Sequence, residues 1–439
     1  MSKVKEMSIV NLSQDIVSFK NEDVLINGRV NKVYFKNIKS KRTSKKLTKN
    51  LSNQLGFSFE DDQIKTAKEI EMTRWLKERK ITLLSRDKDT FLKKLSKRFI
   101  SRNIIDEYEE DFNIKDINIS TFQDESLNED IESFESSNSQ VVKLMYEQLR
   151  KMQQYPLEKK IEKAVAVLEE AATEFGVENL VLCDSGGKDS SVLSHIATHY
   201  WKKDILHLFS NTTCEFPETL QKIKEKAIEE GIDIVMVSPN MSFNQVVKEY
   251  GFPMISKNIS KSIRIYNRTQ SPETEWKIRD YMERRENKWV DALSCPFSDR
   301  CCDKLKKEPM RRFQKAFGIK CAIVGTTAEE SRQRTKEWIE TGCNSFSGSN
   351  PKSMPLSIWT EKDIWEYINK HNIKLSRVYD NYDRQGCLYC GFGIHLEKGE
   401  KNRIQKLKET HPHAYGVFLR NYAKYFDKMQ ELGYSGFEY

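Results

Sequence analysis

The stretch that most constrains this chain is Leu180-Val181-Leu182-Cys183-Asp184-Ser185-Gly186-Gly187-Lys188-Asp189-Ser190. An apolar run of strand length ends in Ser-Gly-Gly. Ser191, Val192, Leu193, Ile196 and Ala197 then continue at helical spacing, which predicts strand, tight turn, helix. Two glycines allow a sharp turn and a close backbone approach to a ligand. The helix start offers free N–H groups and the positive end of its dipole, a setting suited to a phosphate. Lys188 adds a full charge, Asp189 is placed to hold Mg2+ or tie down the loop, and Ser190 can cap the helix or donate to a phosphate oxygen. The order differs from the Walker loop, because no glycine stands at the earlier required position and Asp189 follows Lys188. The plain alternative is a glycine turn before a surface helix.

The strand is the first of several. Ile205–Phe209, Ile232–Val237 and Cys321–Val324 read as further strands, separated by helical stretches, with a helix starting at Pro217. Two amphipathic helices, around Val142–Leu149 and Ile161–Leu168, precede the first strand. This alternation predicts an α/β fold with a doubly wound, mostly parallel sheet and ligands at the carboxyl ends of the strands. Ser185–Ser190, Asn211–Thr219 and Gly325–Arg334 fall at such ends and are expected to converge. Within 439 residues, domains are expected at 1–140, 141–340 and 341–439.

The first of these is basic, then acidic. Asp23–Ile26 and Val30–Phe35 flank Asn27-Gly28, a hairpin signal. Basic runs follow over Lys36–Lys49 and Lys93–Arg102, the second with Phe91, Leu92, Leu95 and Phe99 as an apolar face. Residues 106–135 are acidic and read as a linker. The basic runs suit a nucleic-acid backbone or simply a solvated face.

Charged residues are 31% and hydrophobic ones 38%, with a formal charge of +8. No apolar run reaches membrane-spanning length and no signal peptide opens the chain, so a cytoplasmic protein without a membrane partner is expected. Nine cysteines are too few for a disulfide scaffold. Their grouping carries more: Cys301 and Cys302 are adjacent, and Cys387 and Cys390 form a C-x-x-C. Four thiolates suit tetrahedral zinc or an iron–sulfur cluster. Cys295 is a spare ligand, and Cys183, Cys214, Cys321 and Cys343 read as small buried hydrophobes.

Ser-Gly-Gly-Lys-Asp-Ser resembles the loop of the PP-loop ATP-pyrophosphatases, the adenine nucleotide α-hydrolase superfamily. Four further segments resemble its PAPS/APS (sulfonucleotide) reductase branch. These are Asn211–Thr219, Cys301–Met310, Gly325–Arg334 and Pro355–Trp365, with Asn211, Thr213 and Thr327 as departures. The resemblance covers residues 160–395 and keeps the segment order. It implies ATP held by Ser185, Gly186, Gly187, Lys188, Asp189 and Ser190, with Glu218 and Arg334 as secondary nucleotide-binding residues. Lys188 and Asp189 would be catalytic, with Mg2+ at Asp189. It also implies a [4Fe–4S] cluster on Cys301, Cys302, Cys387 and Cys390.

One departure bears on activity. Reductases of this branch use a nucleophilic cysteine in an E-C-G-x-H-like motif near the C-terminus, and no cysteine follows Cys390. Superfamily members that thiolate nucleic acid keep the loop and a cluster. Their logic, adenylation of an acceptor oxygen and displacement of AMP by sulfur, is the expected function, with nucleic acid and a cysteine desulfurase or other sulfur donor as partners. A sulfonucleotide reductase borrowing an external thiol is the alternative; a binding protein without turnover is another. The stretch from Phe252 to Trp289 interleaves Lys257, Lys261, Arg264, Arg268, Lys277, Arg279, Arg284, Arg285 and Lys288 with Tyr266, Trp276 and Tyr281. It suits single-stranded nucleic acid, or an amphipathic insertion whose acids offset the charge. His395 and His411 are expected to be structural or to donate to a ligand rather than bind metal.

Overall fold

The computed structural model describes residues 19–26, 29–35, 67–100, 140–397 and 399–439. The basic run at 36–49 and the acidic stretch at 106–135 lie outside them. Contacts divide the chain into two compact units, one of residues 1–82, 87–107 and 315–318, the other of 83–86, 108–314 and 319–439.

In the first unit, β1 (Phe19–Ile26) and β2 (Arg29–Phe35) form the antiparallel hairpin expected around Asn27-Gly28, with Ile26 opposite Arg29. Helix α1 (Ala67–Glu78) follows. Asp87 caps α2 (Lys88–Arg98) by accepting the Thr90 N–H, and Phe91, Leu95 and Phe99 are buried on one face. Trp75, Phe99 and Phe317 pack together, Trp75 edge to face on Phe317 and the other two pairs tilted, with ring centroids 5.4–6.0 Å apart.

The second unit is built on a seven-stranded sheet. β3 (Thr82–Leu84) is its first edge. Helices α3 (Gln140–Gln153) and α4 (Leu157–Phe175) precede β4 (Leu180–Cys183). Leu149, Leu157, Ile161, Ala164 and Leu168 pack with Leu180, Leu182, Val192 and Ile196 in one core. Helix α5 (Lys188–Ile196) follows the loop, then β5 (Leu206–Ser210), α6 (Pro217–Glu229) with its proline in the first turn, and β6 (Ile234–Val237). β5 and β6 begin one and two residues later than the apolar runs do.

After β6 come α7 (Phe243–Tyr250), the two-residue β7 (Met254–Ile255), α8 (Lys257–Arg268) and α9 (Pro272–Arg285). A helical run at 300–307 leads into α10 (Glu308–Ala316) and then β8 (Cys321–Val324). α11 (Arg332–Thr341), β9 (Asn344–Ser345), β10 (Lys352–Ser353) and α12 (Glu361–His371) complete the sheet region. Strand order is β3-β6-β5-β4-β8-β10-β9. β4, β5, β6, β8 and β10 pair in parallel, and β9 runs antiparallel to β10. Chain order reverses between β4 and β8, the position where α/β sheets open a ligand crevice.

The remaining segment carries β11 (Gly391–Phe392), α13 (Arg403–Thr410), α14 (Pro412–Asn421) and α15 (Ala423–Glu431). Sequence periodicity gives no sign of β7 and β11, because two residues carry no period. They pair in parallel, and Gly391 donates its N–H to the Pro253 carbonyl at 3.1 Å. A Cβ at Gly391 would lie 2.5 Å from that oxygen, so only glycine brings Cys390 this close. Among the described residues no helix is long and apolar enough to cross a membrane.

Candidate functional site

The loop after β4 is shaped by its own side chains. Ser190 Oγ accepts the Ser185 N–H at 3.2 Å and donates to the Gly187 carbonyl at 3.0 Å. Gly186 adopts φ +73, a left-handed value that excludes most side chains. Its N–H is received by Asp184 Oδ1 at 2.9 Å.

Asp184 is buried, and its other oxygen faces the Lys226 ammonium and His207 Nδ1, the latter at 3.4 Å. Burial works against the charged carboxylate, but Lys226 and the His207 hydrogen bond outweigh it and hold Asp184 well below the usual carboxylate range. Burial pushes His207 down despite Asp184, so it stays a neutral donor near pH 7. The loop is thus tied to β5 through His207 and to α6 through Lys226. Asp184 precedes the motif directly, yet its partners lie 23 and 42 residues away, and nothing local in the sequence announces them.

Three loops meet at this point. Gly325, after β8, is close enough that a Cβ would lie 3.1 Å from the Asp189 carbonyl and 3.2 Å from the Ser190 nitrogen. Thr219, at the start of α6, would lie 3.2 Å from a Cβ on Gly186. Lys188 Nζ is 3.4 Å from Asp189 and 3.6 Å from Glu361. Burial raises the Asp189 pKa, with Lys188 opposing. Burial and the charge of Asp189 raise that of Glu330. Glu330 and Glu361, which the sequence did not single out, therefore join Lys188 and Asp189.

The secondary candidates are more remote. Glu218 receives His411 Nε2 at 3.0 Å, so His411 is a hydrogen-bonding residue. Arg334 is paired with Glu337 at 3.1 Å and Glu330 at 3.8 Å, and faces the loop through Glu330.

A second cluster lies beside the first. Cys301 and Cys302 thiols are 4.0 Å apart, and both interact electrostatically with Cys390. Cys387 interacts with Cys390 and with Cys214, and Thr212 Oγ1 lies 3.7 Å from its sulfur. The four paired cysteines are thereby brought together. Cys214, read as a plain buried hydrophobe, stands beside them, and its carbonyl receives the Leu388 N–H at 2.8 Å. Cys295 is buried elsewhere, with Lys428 and Glu431 as its charged neighbours. His395 packs on Trp289 and Phe437 instead of the thiols.

The Cys301 hydrogen bond lowers the Cys302 pKa against burial, helped by Lys257, Lys306 and Lys307. The bond to Cys302, then burial, raises Cys301, and burial raises Cys387 and Cys390, the last opposed by Arg403. Among the described residues no three His, Cys, Asp or Glu side chains converge as a single metal ion requires. Cys301, Cys302, Cys387 and Cys390 form a donor set of four thiols with Lys257, Lys306, Arg384 and Arg403 among their charged neighbours, a set whose chemistry suits an anionic thiolate-bound group.

The two clusters share a segment. Gln385 Nε2 donates to the Ser185 carbonyl at 2.9 Å, and Cys387 follows two residues later. A cavity of about 110 Å³ beside it is lined by Phe216, Tyr382, Arg384, Cys387, Arg403 and Lys406, among others. By contrast, several basic side chains of helices α8 and α9 are paired with acids. Arg264 is bound to Asp299, Lys277 to Glu273, Arg284 to Asp280, and Arg279 to Glu283 and the Tyr266 hydroxyl. That matches the amphipathic, charge-offset reading of the stretch; Trp276 remains exposed.

Residues 179–258 and 255–391 match the family described as the phosphoadenosine phosphosulfate reductase domain. An uncharacterized protein of Methanocaldococcus jannaschii is 26% identical over 244 residues, 55% of this chain and 41% of that protein. Sulfate adenylyltransferase subunit 2 of Mycolicibacterium gilvum is 28% identical over 232 residues, 51% of this chain and 64% of its own length. Adenosine 5'-phosphosulfate reductase of Anoxybacillus flavithermus is 24% identical over 229 residues, 52% of this chain and 74% of its own. The chain spans less than two thirds of the first two.

Proposed function

For a chain that belongs, through its phosphoadenosine phosphosulfate reductase domain, to the PP-loop superfamily, we propose an enzyme that cleaves ATP between its α and β phosphates and transfers sulfur, with nucleic acid as acceptor. The observation that carries this reading is the shared segment. Gln385 holds the pyrophosphate loop at Ser185, and Cys387 of the thiol set follows two residues on. Nucleotide and sulfur chemistry are then neighbours.

An acceptor oxygen attacks the α-phosphorus, and pyrophosphate leaves with the electron pair of the broken P–O bond. The charge on the departing group would be met by the N–H groups of Gly187 and Lys188, the Ser190 hydroxyl and the Lys188 ammonium, on a backbone that Asp184 holds in place. Asp189 and Glu330, the carboxylates that face Lys188 and Arg334 beside the loop, would hold Mg2+. A sulfur nucleophile then displaces AMP from the acceptor. Cys301, Cys302, Cys387 and Cys390 would hold a [4Fe–4S] cluster, which supplies a site for redox or sulfur chemistry when bound. The donor would be sulfide, or the persulfide of a cysteine desulfurase together with a thiol that reduces the S–S bond once the outer sulfur has displaced AMP.

The test is pyrophosphate release from ATP by anaerobically purified protein, with and without nucleic acid, beside Lys188→Ala. Release stimulated by nucleic acid and lost in the variant is expected. A protein that ignores ATP but reduces a sulfonucleotide with an added thiol would establish the second reading, which the match to a reductase domain favours.

A further inference from the structure

Tyr379 lies in the short turn Arg377–Asp380, 191 residues from the loop it touches. Its hydroxyl oxygen accepts the backbone N–H of Lys188 at 2.8 Å. A Cβ on Gly187 would be 3.4 Å from the same oxygen. Lys188 is the first residue of α5, so its N–H has no partner within the helix and points out of the N-terminus. Six residues on, Gln385 takes the Ser185 carbonyl at 2.9 Å. One segment therefore closes both ends of the loop, and a single oxygen stands at the N–H an anion would use first.

We propose that Tyr379 is a displaceable stand-in for a phosphate oxygen: it occupies the Lys188 N–H in the nucleotide-free chain and competes with pyrophosphate for it. This rests on the loop being the pyrophosphate site. Burial pushes the Tyr379 phenol up to about 12, so the competing oxygen is neutral at pH 7. A phosphate oxygen is charged, and a hydrogen bond to a charged acceptor is roughly twice as strong as a neutral one. The anion therefore wins, at the cost of breaking the tyrosine bond. The edge contact of Tyr379 with Trp365, centroids 6.1 Å apart, keeps the ring in place in the absence of ligand.

The contact gives Tyr379→Phe an unusual sign. Phenylalanine keeps the ring packing and removes only the competing oxygen. Titration of inorganic pyrophosphate into the full-length chain should then show binding about two- to tenfold tighter than wild type, the worth of one neutral hydrogen bond that need not be broken. A residue that merely supports the fold, or that donates to the bound phosphate, gives unchanged or weaker binding, and either result overturns the proposal. Lys188→Ala separates the two layers of the argument. If wild type binds pyrophosphate, Lys188→Ala binds it more weakly and Tyr379→Phe is no tighter, the stand-in is refuted and the loop reading survives. If wild type binds no pyrophosphate, or Lys188→Ala binds it equally well, both are refuted.

Discussion

Replacing Lys226 by methionine removes the ammonium that faces Asp184 while keeping the length of the side chain. Both partners are buried, the Lys226 side chain 4% and that of Asp184 0% exposed, so solvent cannot take over. Removing one partner of such a pair costs about 3–5 kcal/mol. At about 2 °C per kcal/mol for a domain of this size, the thermal midpoint should fall by about 6–10 °C at pH 8. The loss should shrink on acidification. In the wild type, burial depresses the His207 pKa, so the unfolded chain binds the extra proton and stability drops as pH falls below about 6.5. In Lys226→Met, His207 faces an uncompensated carboxylate, and its folded pKa rises above the unfolded value. The imidazolium then contributes stability that is fully present below about pH 6.5 and is lost as pH rises through the folded pKa. The gap between the two midpoints, scanned from pH 5.5 to 8.5, should therefore narrow toward acid. A gap that is constant, or under about 2 °C throughout, would refute the assignment of Asp184, Lys226 and His207 as one electrostatic unit.

The thiol set and the close glycine give further outcomes. Serine at Cys301, Cys302, Cys387 or Cys390 should lower the iron and acid-labile sulfide content of anaerobically purified protein well below wild type, while Cys295→Ser should leave it unchanged; equal loss in all five would remove the distinction drawn from their neighbours. Gly391→Ala places a Cβ 2.5 Å from the Pro253 carbonyl and should cost about 1–3 kcal/mol as that pairing shifts, read as a lower denaturation midpoint together with reduced iron content. An alanine variant with wild-type stability would mean that the β7–β11 approach is looser than described.

Much of the site was legible in the chain itself, for identifiable reasons. Leu180–Ser190 encodes strand, turn and helix within a few residues, and the strand alternation that follows it sets a parallel sheet whose carboxyl ends collect Ser185–Ser190, Thr219 and Gly325. What escaped is long-range and aperiodic. Lys226 is an ordinary position on an amphipathic helix until the fold delivers it to Asp184. Tyr379 looks like any aromatic near a turn until it meets Lys188. The strands Met254–Ile255 and Gly391–Phe392 are too short to leave a period, yet their pairing anchors Cys390. The basic stretch at 257–288 was ambiguous because charge composition does not say which acids answer which bases; i,i+4 pairs on α9 and the Arg264–Asp299 contact answer Arg264, Lys277, Arg279 and Arg284.

The central claim is that the nucleotide loop and the thiol set serve one reaction. Its most direct measurement is a stoichiometry: anaerobic protein, ATP, nucleic acid and radiolabelled sulfide, or a desulfurase with labelled cysteine and a thiol reductant, with pyrophosphate, AMP and acceptor-bound sulfur counted in the same sample. The account predicts one pyrophosphate and one AMP per sulfur incorporated, and loss of all three in both Lys188→Ala and Cys387→Ser. Pyrophosphate formed without sulfur transfer, or sulfur transfer that persists without ATP, would contradict it.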